Sequence, residues 1–210
     1  MQEKIMAEVN HIKSYIHIKN NTVALNGKVI YTDDEADFKL FIKNAYKATE
    51  TKYPKFFKMD SLSKLAFLAS DVLLKNETLN IDKENNIAIV FSNKASSLDT
   101  DRKHQQSIQD NLNYYPSPAV FVYTLPNICI GEISIKYKLY SENSFFIFDS
   151  FNADYLRTYA NSLLDDGKSN EVLCGWVDYD EGSYEAFIYL VGEKGKLIHN
   201  TNEIITLYNS

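Results

Sequence analysis

The stretch that decides the fold runs over residues 144–175 and reads SFFIFDSFNADYLRTYANSLLDDGKSNEVLCG. Its first part contains Phe145–Phe148, a strongly apolar run that predicts a strand. Phe151–Leu164 then has helical spacing, and Gly167 is placed to end that helix in a left-handed conformation. Val172–Cys174 is again short and apolar. A strand, a helix and a second strand in this order predict a layered α/β domain.

Outward from this stretch, strands and helices continue to alternate. Ile87–Phe91 and Tyr184–Leu190 predict two more strands. Asn26–Gly27 predicts a tight turn that joins two short strands into a hairpin. Lys196–Tyr208 predicts one or two short closing strands. Three further helices are predicted. The first follows a cap at Asp33–Glu35 and has an apolar stripe of Phe38, Phe41, Ile42, Ala45 and Tyr46. The other two cover Asp60–Leu74 and Leu125–Leu139.

We therefore expect a single α/β domain over residues 1–210, with helices packed on a mixed, largely parallel sheet. The length of 210 residues is sufficient for one sizeable core. Tyr and Phe are abundant, at 15 and 12 residues, and these rings suit either a core or the rim of an interface.

Composition and charge exclude several function classes. The net charge of −6 argues against nucleic-acid binding and against an anionic membrane surface. No run approaches the length of a transmembrane helix and no signal peptide opens the chain, so a cytoplasmic location is expected. Cys129 and Cys174 lie in apolar surroundings without neighbours at metal spacing, so neither a metal site nor a disulfide framework is expected. No cofactor motif is present.

The segment Pro116–Asp178 carries a resemblance to a known family. Leu125–Leu139 reads LPNICIGEISIKYKL. It is followed in order by the apolar strand Ser144–Asp149, a helix, Gly167, the strand Val172–Gly175 and an acidic residue. This series resembles the region around the nucleophile of β-ketoacyl synthases, which have a thiolase-like fold. The resemblance implies one half of that fold, a layered α/β domain.

The family's catalytic residues are missing from the matching positions. The resemblance puts Ser150 where the family has its nucleophilic cysteine, and bulky Phe151 follows. A hydroxyl needs a positioned base to attack a thioester, and Asp149 beside it would oppose an oxyanion. The family's two catalytic histidines have no counterpart, since the four histidines here (His11, His17, His104 and His199) lie in no matching motif. We therefore expect no catalytic residue, with Ser150 marking the lost nucleophile.

The resemblance implies a chain-length-factor-like pseudoenzyme that pairs with an active 3-oxoacyl-ACP synthase in fatty-acid, polyketide or aryl-polyene assembly. The expected interface residues come from one strand and one helix: Phe145, Phe146, Ile147, Phe148, Asn127, Ile128 and Ile133. The residues expected to line an acyl tunnel are Tyr114, Tyr115, Phe121, Tyr123 and Leu125, for which ordinary core packing is an equal alternative.

Two other functions remain open at this point. The first is that the chain is a stand-alone acyl-binding homodimer. The second is that it is an acyl-transfer enzyme in which Ser150 is the nucleophile and His104, Asp149 or Asp154 is the base. An acyl carrier protein is a further candidate partner. Such proteins are acidic, and the matching basic patch would be Lys52, Lys55, Lys58 and Lys64, although these lysines also fit a solvated surface.

Overall fold

The computed structural model describes residues 9–77, 79–112 and 114–210. Within these residues the chain forms one eight-stranded sheet and seven α-helices. The strands are β1 (His11–Lys19), β2 (Thr22–Leu25), β3 (Lys28–Thr32), β4 (Ile87–Asn93), β5 (Asn143–Ile147), β6 (Glu171–Asp180), β7 (Ser183–Gly192) and β8 (Leu197–Ile198). The helices are α1 (Phe38–Ala48), α2 (Ser61–Leu74), α3 (Leu98–Ile108), α4 (Pro118–Phe121), α5 (Ile128–Tyr137), α6 (Ala153–Asp165) and α7 (Thr201–Tyr208).

The sheet has the strand order β3-β2-β1-β7-β6-β4-β5, with β8 paired to β1. The expected layered α/β class is confirmed, but the expectation of a largely parallel sheet is wrong. Only β4–β5 and β4–β6 are parallel pairs, and the other five pairings in the described part of the chain are antiparallel. The reason is that β6 and β7 form a hairpin whose strands are buried on both faces, a pattern that usually marks parallel strands.

Two apolar layers cover the sheet. Helices α1, α2 and α5 bury one face against the side chains of β4, β6 and β7, and α2 is buried almost all round. Helices α6 and α7 bury the other face through residues such as Leu156 and Ile204. Because each face of the central strands meets a helix layer, the domain is a three-layer α/β/α sandwich.

Local chemistry explains where the elements begin. Asp37 caps α1 by accepting a hydrogen bond from the Leu40 N–H at 2.8 Å, two residues later than the cap predicted from the sequence. Asp60 caps α2 in the same way. The predicted hairpin turn is confirmed, since Asn26 and Gly27 both have positive φ (50° and 77°), as a tight hairpin turn requires.

The closing segment is corrected by the structure. Strands were expected over Lys196–Tyr208, but only Leu197–Ile198 is a strand, and Thr201–Tyr208 is helix α7. Asn200 caps this helix with a hydrogen bond from the Glu203 N–H at 2.9 Å. The buried residues of α7 are three positions apart, which is a helical spacing that a short apolar run conceals.

A buried carboxylate joins α2 to α5. Asp71 is fully buried in α2 and accepts hydrogen bonds from Lys136 Nζ and, at 2.7 Å, from the Tyr137 hydroxyl of α5. Thr51 donates a third hydrogen bond at 2.6 Å. Burial raises the pKa of Asp71, but the hydrogen bonds from Lys136, Thr51 and Tyr137 outweigh it and hold the pKa below its usual value. The network fixes α5 on the core.

No single helix in the described ranges is long and apolar enough to cross a membrane. The pair Pro118–Thr124 and Ile128–Tyr137 meets that test by length and composition only, and it is bent by 96°.

Candidate association surface and nucleophile position

Strand β5 forms an open edge of the sheet. It pairs in parallel with β4, from Ile89 with Asn143 to Asn93 with Ile147. No other strand of the described residues pairs with its far side. The backbone groups on that side are therefore free to pair with another chain.

The four predicted interface residues of this edge point in different directions. Phe145 packs against the α2–α5 layer, whereas Phe146 packs on the α6 layer beside Tyr155 and Tyr159. Ile147 is 49% exposed. Phe148 follows the strand, and its N–H donates to the Asn93 carbonyl at 2.9 Å. Of these four predicted residues, Ile147 is therefore the most accessible to a partner.

Helix α5 adds an apolar surface, although not through every predicted residue. Asn127 is exposed and Ile128 is half-buried, so both are accessible. Ile133 is only 1% exposed and belongs to the core, so its prediction as an interface residue is wrong, because α5 turns that side toward α2. Ile135, which the sequence reasoning missed, is 59% exposed. Open space lies around Gly131 on the same helix.

The predicted tunnel residues lie mostly on the surface. Tyr114, Tyr115, Phe121 and Leu125 are each more than half exposed, which is inconsistent with their alternative reading as core. Only Tyr123 packs against the core and lines a cavity. The exposed side chains do not enclose a tunnel within the described residues, so a role in an acyl tunnel requires a second protein surface.

Ser150 lies in the exposed turn between β5 and α6, just before Asn152, which caps α6. It lies beside a shallow surface depression that also contains Asp149, Asp178 and Glu185. Its hydroxyl has no hydrogen-bond partner among the described side chains and backbone groups. The same depression holds three carboxylates and one lysine, Lys19, and this net negative charge would oppose the negative charge of a tetrahedral intermediate.

Within the described residues, none of the three candidate bases forms a hydrogen bond with the Ser150 hydroxyl. His104 lies on α3 against Phe121 and is not part of either depression that contains Ser150. Asp154 accepts hydrogen bonds from Thr201 at 2.9 Å and from Arg157 at 3.3 Å, and these bonds lower its pKa. A carboxylate with a lowered pKa is a weak base. Asp149 is exposed.

The two cysteines and two of the other histidines are buried. Cys129 and Cys174 are fully buried, and burial raises the pKa of the Cys174 thiol to about 12 and raises that of Cys129 further. His17 and His199 are also buried, and burial lowers the pKa of each to about 4. In the described ranges no cluster of His, Cys, Asp and Glu is arranged to hold a metal ion.

The predicted basic cluster separates in the structure. Lys55 pairs with Glu132 at 3.5 Å, and Lys52 is exposed away from the cavity described below. Lys58 and Lys64 instead face a cavity together with lysines from α1 and α3. The sequence reasoning missed those lysines because they are far apart along the chain.

Comparison with known proteins places this geometry in a structural context. No protein-family model and no curated protein sequence matches the chain. Solved structures do match. A chain of the ishigamide ketosynthase/chain length factor has a TM-score of 0.65 at 16% identity over 88% of this chain. A chain of the ketosynthase (ApeO) in complex with its chain length factor (ApeC) from Xenorhabdus doucetiae has a TM-score of 0.59 at 12% identity over 96% of this chain.

A third match is to a complex of a type II PKS acyl-carrier protein with its ketosynthase, with a TM-score of 0.58 at 14% identity over 90% of this chain. The chain spans 62% and 64% of the length of the first and third structures, and 90% of the second. The chain is therefore similar to ketosynthase and chain-length-factor structures and has their thiolase-like fold.

Proposed function

We propose that this chain is a non-catalytic, chain-length-factor-like subunit that pairs with an active β-ketoacyl-ACP synthase. The partner would carry the chemistry of fatty-acid, polyketide or aryl-polyene assembly, and this chain would shape the space for the growing acyl chain. We further propose that it acts as one domain over residues 1–210 and works in the cytoplasm.

The observation that carries the proposal is the open edge of β5 with its apolar surroundings. Unpaired strand edges are normally covered, charged or shortened to prevent association. Here the edge exposes Ile147, and the exposed side of α5 adds Ile135. Leu125 and Phe121, in the segment before α5, are also more than half exposed. Exposed apolar surface of this kind is typical of a protein–protein interface.

The environment of Ser150 supports a subunit without its own chemistry. A serine that attacks a thioester needs a base within hydrogen-bond reach and donors aimed at the oxyanion. Ser150 instead lies at an exposed turn beside Asp149, Asp178 and Glu185.

The exposed aromatic segment supports a contribution to a shared acyl tunnel. Tyr114, Tyr115 and Phe121 present large rings to solvent, although burial of such rings is favourable. A partner surface that closes over them would bury these rings and would complete an apolar channel.

The experiment is co-expression of the chain with a ketosynthase from the same genome, followed by measurement of the solution mass by light scattering. We expect a one-to-one complex. Ile147→Lys should abolish it, because a lysine at the β5 edge places an unpaired charge in an apolar interface. Ile30→Lys is the matched control, since Ile30 is 43% exposed on β3 at the opposite open edge of the sheet.

The outcomes separate the alternatives. A homodimer that ignores the ketosynthase would contradict the proposal and favour a stand-alone acyl-binding homodimer. Loss of the complex in both Ile147→Lys and Ile30→Lys would show that β5 is not the specific surface. An acidic acyl carrier protein is a further proposed partner. Its binding should weaken in Lys58→Gln, and binding to the unchanged chain should weaken as the salt concentration rises.

A further inference from the structure

A cavity of about 440 Å³ lies between α1, α2, α3, the short segment after α3 and a 3-10 turn at Pro54–Lys58. Its volume is within the range of small-molecule sites. Buried apolar side chains of Phe38, Ile42, Phe56 and Met59 form its inner wall. This wall offers an apolar surface to a ligand that enters the cavity.

Five lysines surround this apolar wall. They come from four separate elements and are Lys39, Lys43, Lys58, Lys64 and Lys103. The chain as a whole is acidic, with a net charge of −6, whereas the residues around this cavity carry a net positive charge. An anion near the cavity would be attracted by all five ammonium groups.

Asp60 is the only carboxylate among the lining residues, and its oxygens are already engaged. One oxygen accepts a hydrogen bond from the Ser63 N–H at 2.8 Å, and the other accepts from the Thr100 hydroxyl at 2.8 Å. Lys103 pairs with Asp99 on α3. The described residues provide no ion-pair partner for the other four lysines of the cavity.

Lys64 is the lysine most directly placed for an anion. It is half-buried at the second turn of α2, next to Asp60 along the helix. Burial lowers its pKa; Asp60 opposes this shift, and the charges of Lys103 and Lys39 add to it. A bound anion would relieve both the loss of water and the repulsion between these lysines.

We propose that this cavity binds an amphipathic anion, with its apolar chain against Phe38, Ile42 and Met59 and its anionic head at Lys64. The head would be a carboxylate or a phosphate, since both present oxygens to ammonium groups. Every lining residue belongs to this chain. The proposal therefore holds whether or not the chain pairs with a ketosynthase.

The test is isothermal titration calorimetry on the full chain alone, with octanoate, octyl phosphate, octanol and octylammonium as probes. We expect one equivalent of an anionic probe to bind, with octanol about tenfold weaker and octylammonium without measurable binding. The stronger of octanoate and octyl phosphate identifies the head group. Binding should also weaken as salt rises.

Three variants make the test specific. Lys64→Gln should weaken binding of the anionic probe about tenfold, whereas Lys28→Gln, an exposed lysine on the β2–β3 hairpin, should leave it unchanged. Ala119→Phe should block the cavity without removing a charge, since Ala119 is exposed at its wall.

Several results would overturn the proposal. The first is that octanol binds as tightly as octanoate and octyl phosphate. The second is that Lys64→Gln and Lys28→Gln weaken the binding of the anionic probe equally. The third is that no probe binds to a chain whose circular dichroism spectrum is native. Unimpaired binding in Ala119→Phe would place the ligand elsewhere. None of these results depends on complex formation with a ketosynthase, so failure here and failure of the proposed subunit function are distinguishable.

Discussion

Replacing Asp71 with asparagine tests whether one buried charge holds α5, the helix of the proposed association surface, on the core. Asp71 is fully buried, and one of its oxygens accepts from Lys136 and Tyr137. The other oxygen accepts from Thr51 at 2.6 Å and lies 3.1 Å from Lys75 Nζ. All four partners are donors, and an asparagine replaces one acceptor oxygen with an N–H donor. Two donors would therefore lose their acceptor, and the half-buried charge of Lys136 would lose its opposite charge.

The magnitude follows from how far the partners can reach water. Removing one member of a buried ion pair costs about 3–5 kcal/mol. The side chains of Lys136 and Lys75 are 18% and 35% exposed, so partial hydration places the cost for Asp71→Asn near the lower end, about 3 kcal/mol. For a chain of this length that corresponds to a fall in Tm of roughly 6–12 °C.

The assay is urea denaturation followed by circular dichroism, with the loss read from the midpoint at constant slope. The matched control is Asp99→Asn, whose carboxylate pairs with the half-exposed Lys103 on α3 and should cost less than about 1 kcal/mol. A second variant, Asp71→Leu with Lys136→Met, should recover only part of the stability, because it removes both charges of the buried pair but leaves the Thr51 and Tyr137 hydroxyls without their acceptor.

The reasoning would be refuted by an Asp71→Asn variant within about 1 kcal/mol of the parent. It would also be refuted if the double variant were less stable than Asp71→Asn. Either result would show that the uncompensated charge of Lys136 does not dominate the loss.

Stability should also fall in acid. Burial lowers the pKa of His17 and His199 from 6.5 to about 4, so between these values the unfolded chain binds more protons than the fold. The contribution of these two neutral histidines to the free energy of unfolding is complete above pH 6.5 and decreases as the pH falls to 4, by up to about 3 kcal/mol for each histidine. Urea midpoints that stay constant from about pH 7.5 to 5 would contradict this expectation. Gly175→Ala should destabilise the fold by about 2 kcal/mol or more, since a Cβ there would lie 2.6 Å from a backbone oxygen of β7. Gly131→Ala on α5 has open space around it and should stabilise the fold by up to about 1 kcal/mol. Similar melting curves for the two variants would contradict this comparison. Ser150→Ala should leave the activity of a co-purified ketosynthase complex unchanged, and a large loss of turnover would favour the acyl-transfer enzyme instead.

Much of the fold could be predicted because local patterns coincide with the tertiary environment. The stripe of Phe38, Phe41, Ile42 and Ala45 is the buried side of α1. The predicted helix Asp60–Leu74 matches α2, which Asp60 caps, and Gly167 follows α6 with a φ of 65°, as predicted. These signals depend on neighbours a few positions apart, which a sequence displays directly.

Strand direction and the closing helix could not be read in this way. Because β6 and β7 are covered by helices on both faces, they lack the alternation that marks many antiparallel strands. In α7 the apolar residues Ile204, Ile205 and Leu207 fit a strand or a helix, and only the cap at Asn200 favours the helix.

The candidate surfaces show the same limit. Ser150 and the strand before it were found from the order of elements, and that strand does lie at an edge. Ile133 was misplaced because α5 is apolar on more than one side, with Ile133 buried and Ile135 exposed. The lysines of the cavity come from elements whose proximity depends on tertiary packing, so no local pattern indicates that they converge.

The position of β1 has a consequence for how the chain acquires its structure during synthesis. β1 lies between β2 and β7, and its pairs run from Lys19 with Glu185 to His11 with Gly192. Contacts between such distant positions slow folding, because a long loop must close before they form. On the ribosome, β1 must wait for almost the entire described chain before its central partner emerges. Nascent chains are therefore expected to expose this apolar strand to chaperones, and C-terminal truncation within β7 should prevent folding of the whole sheet.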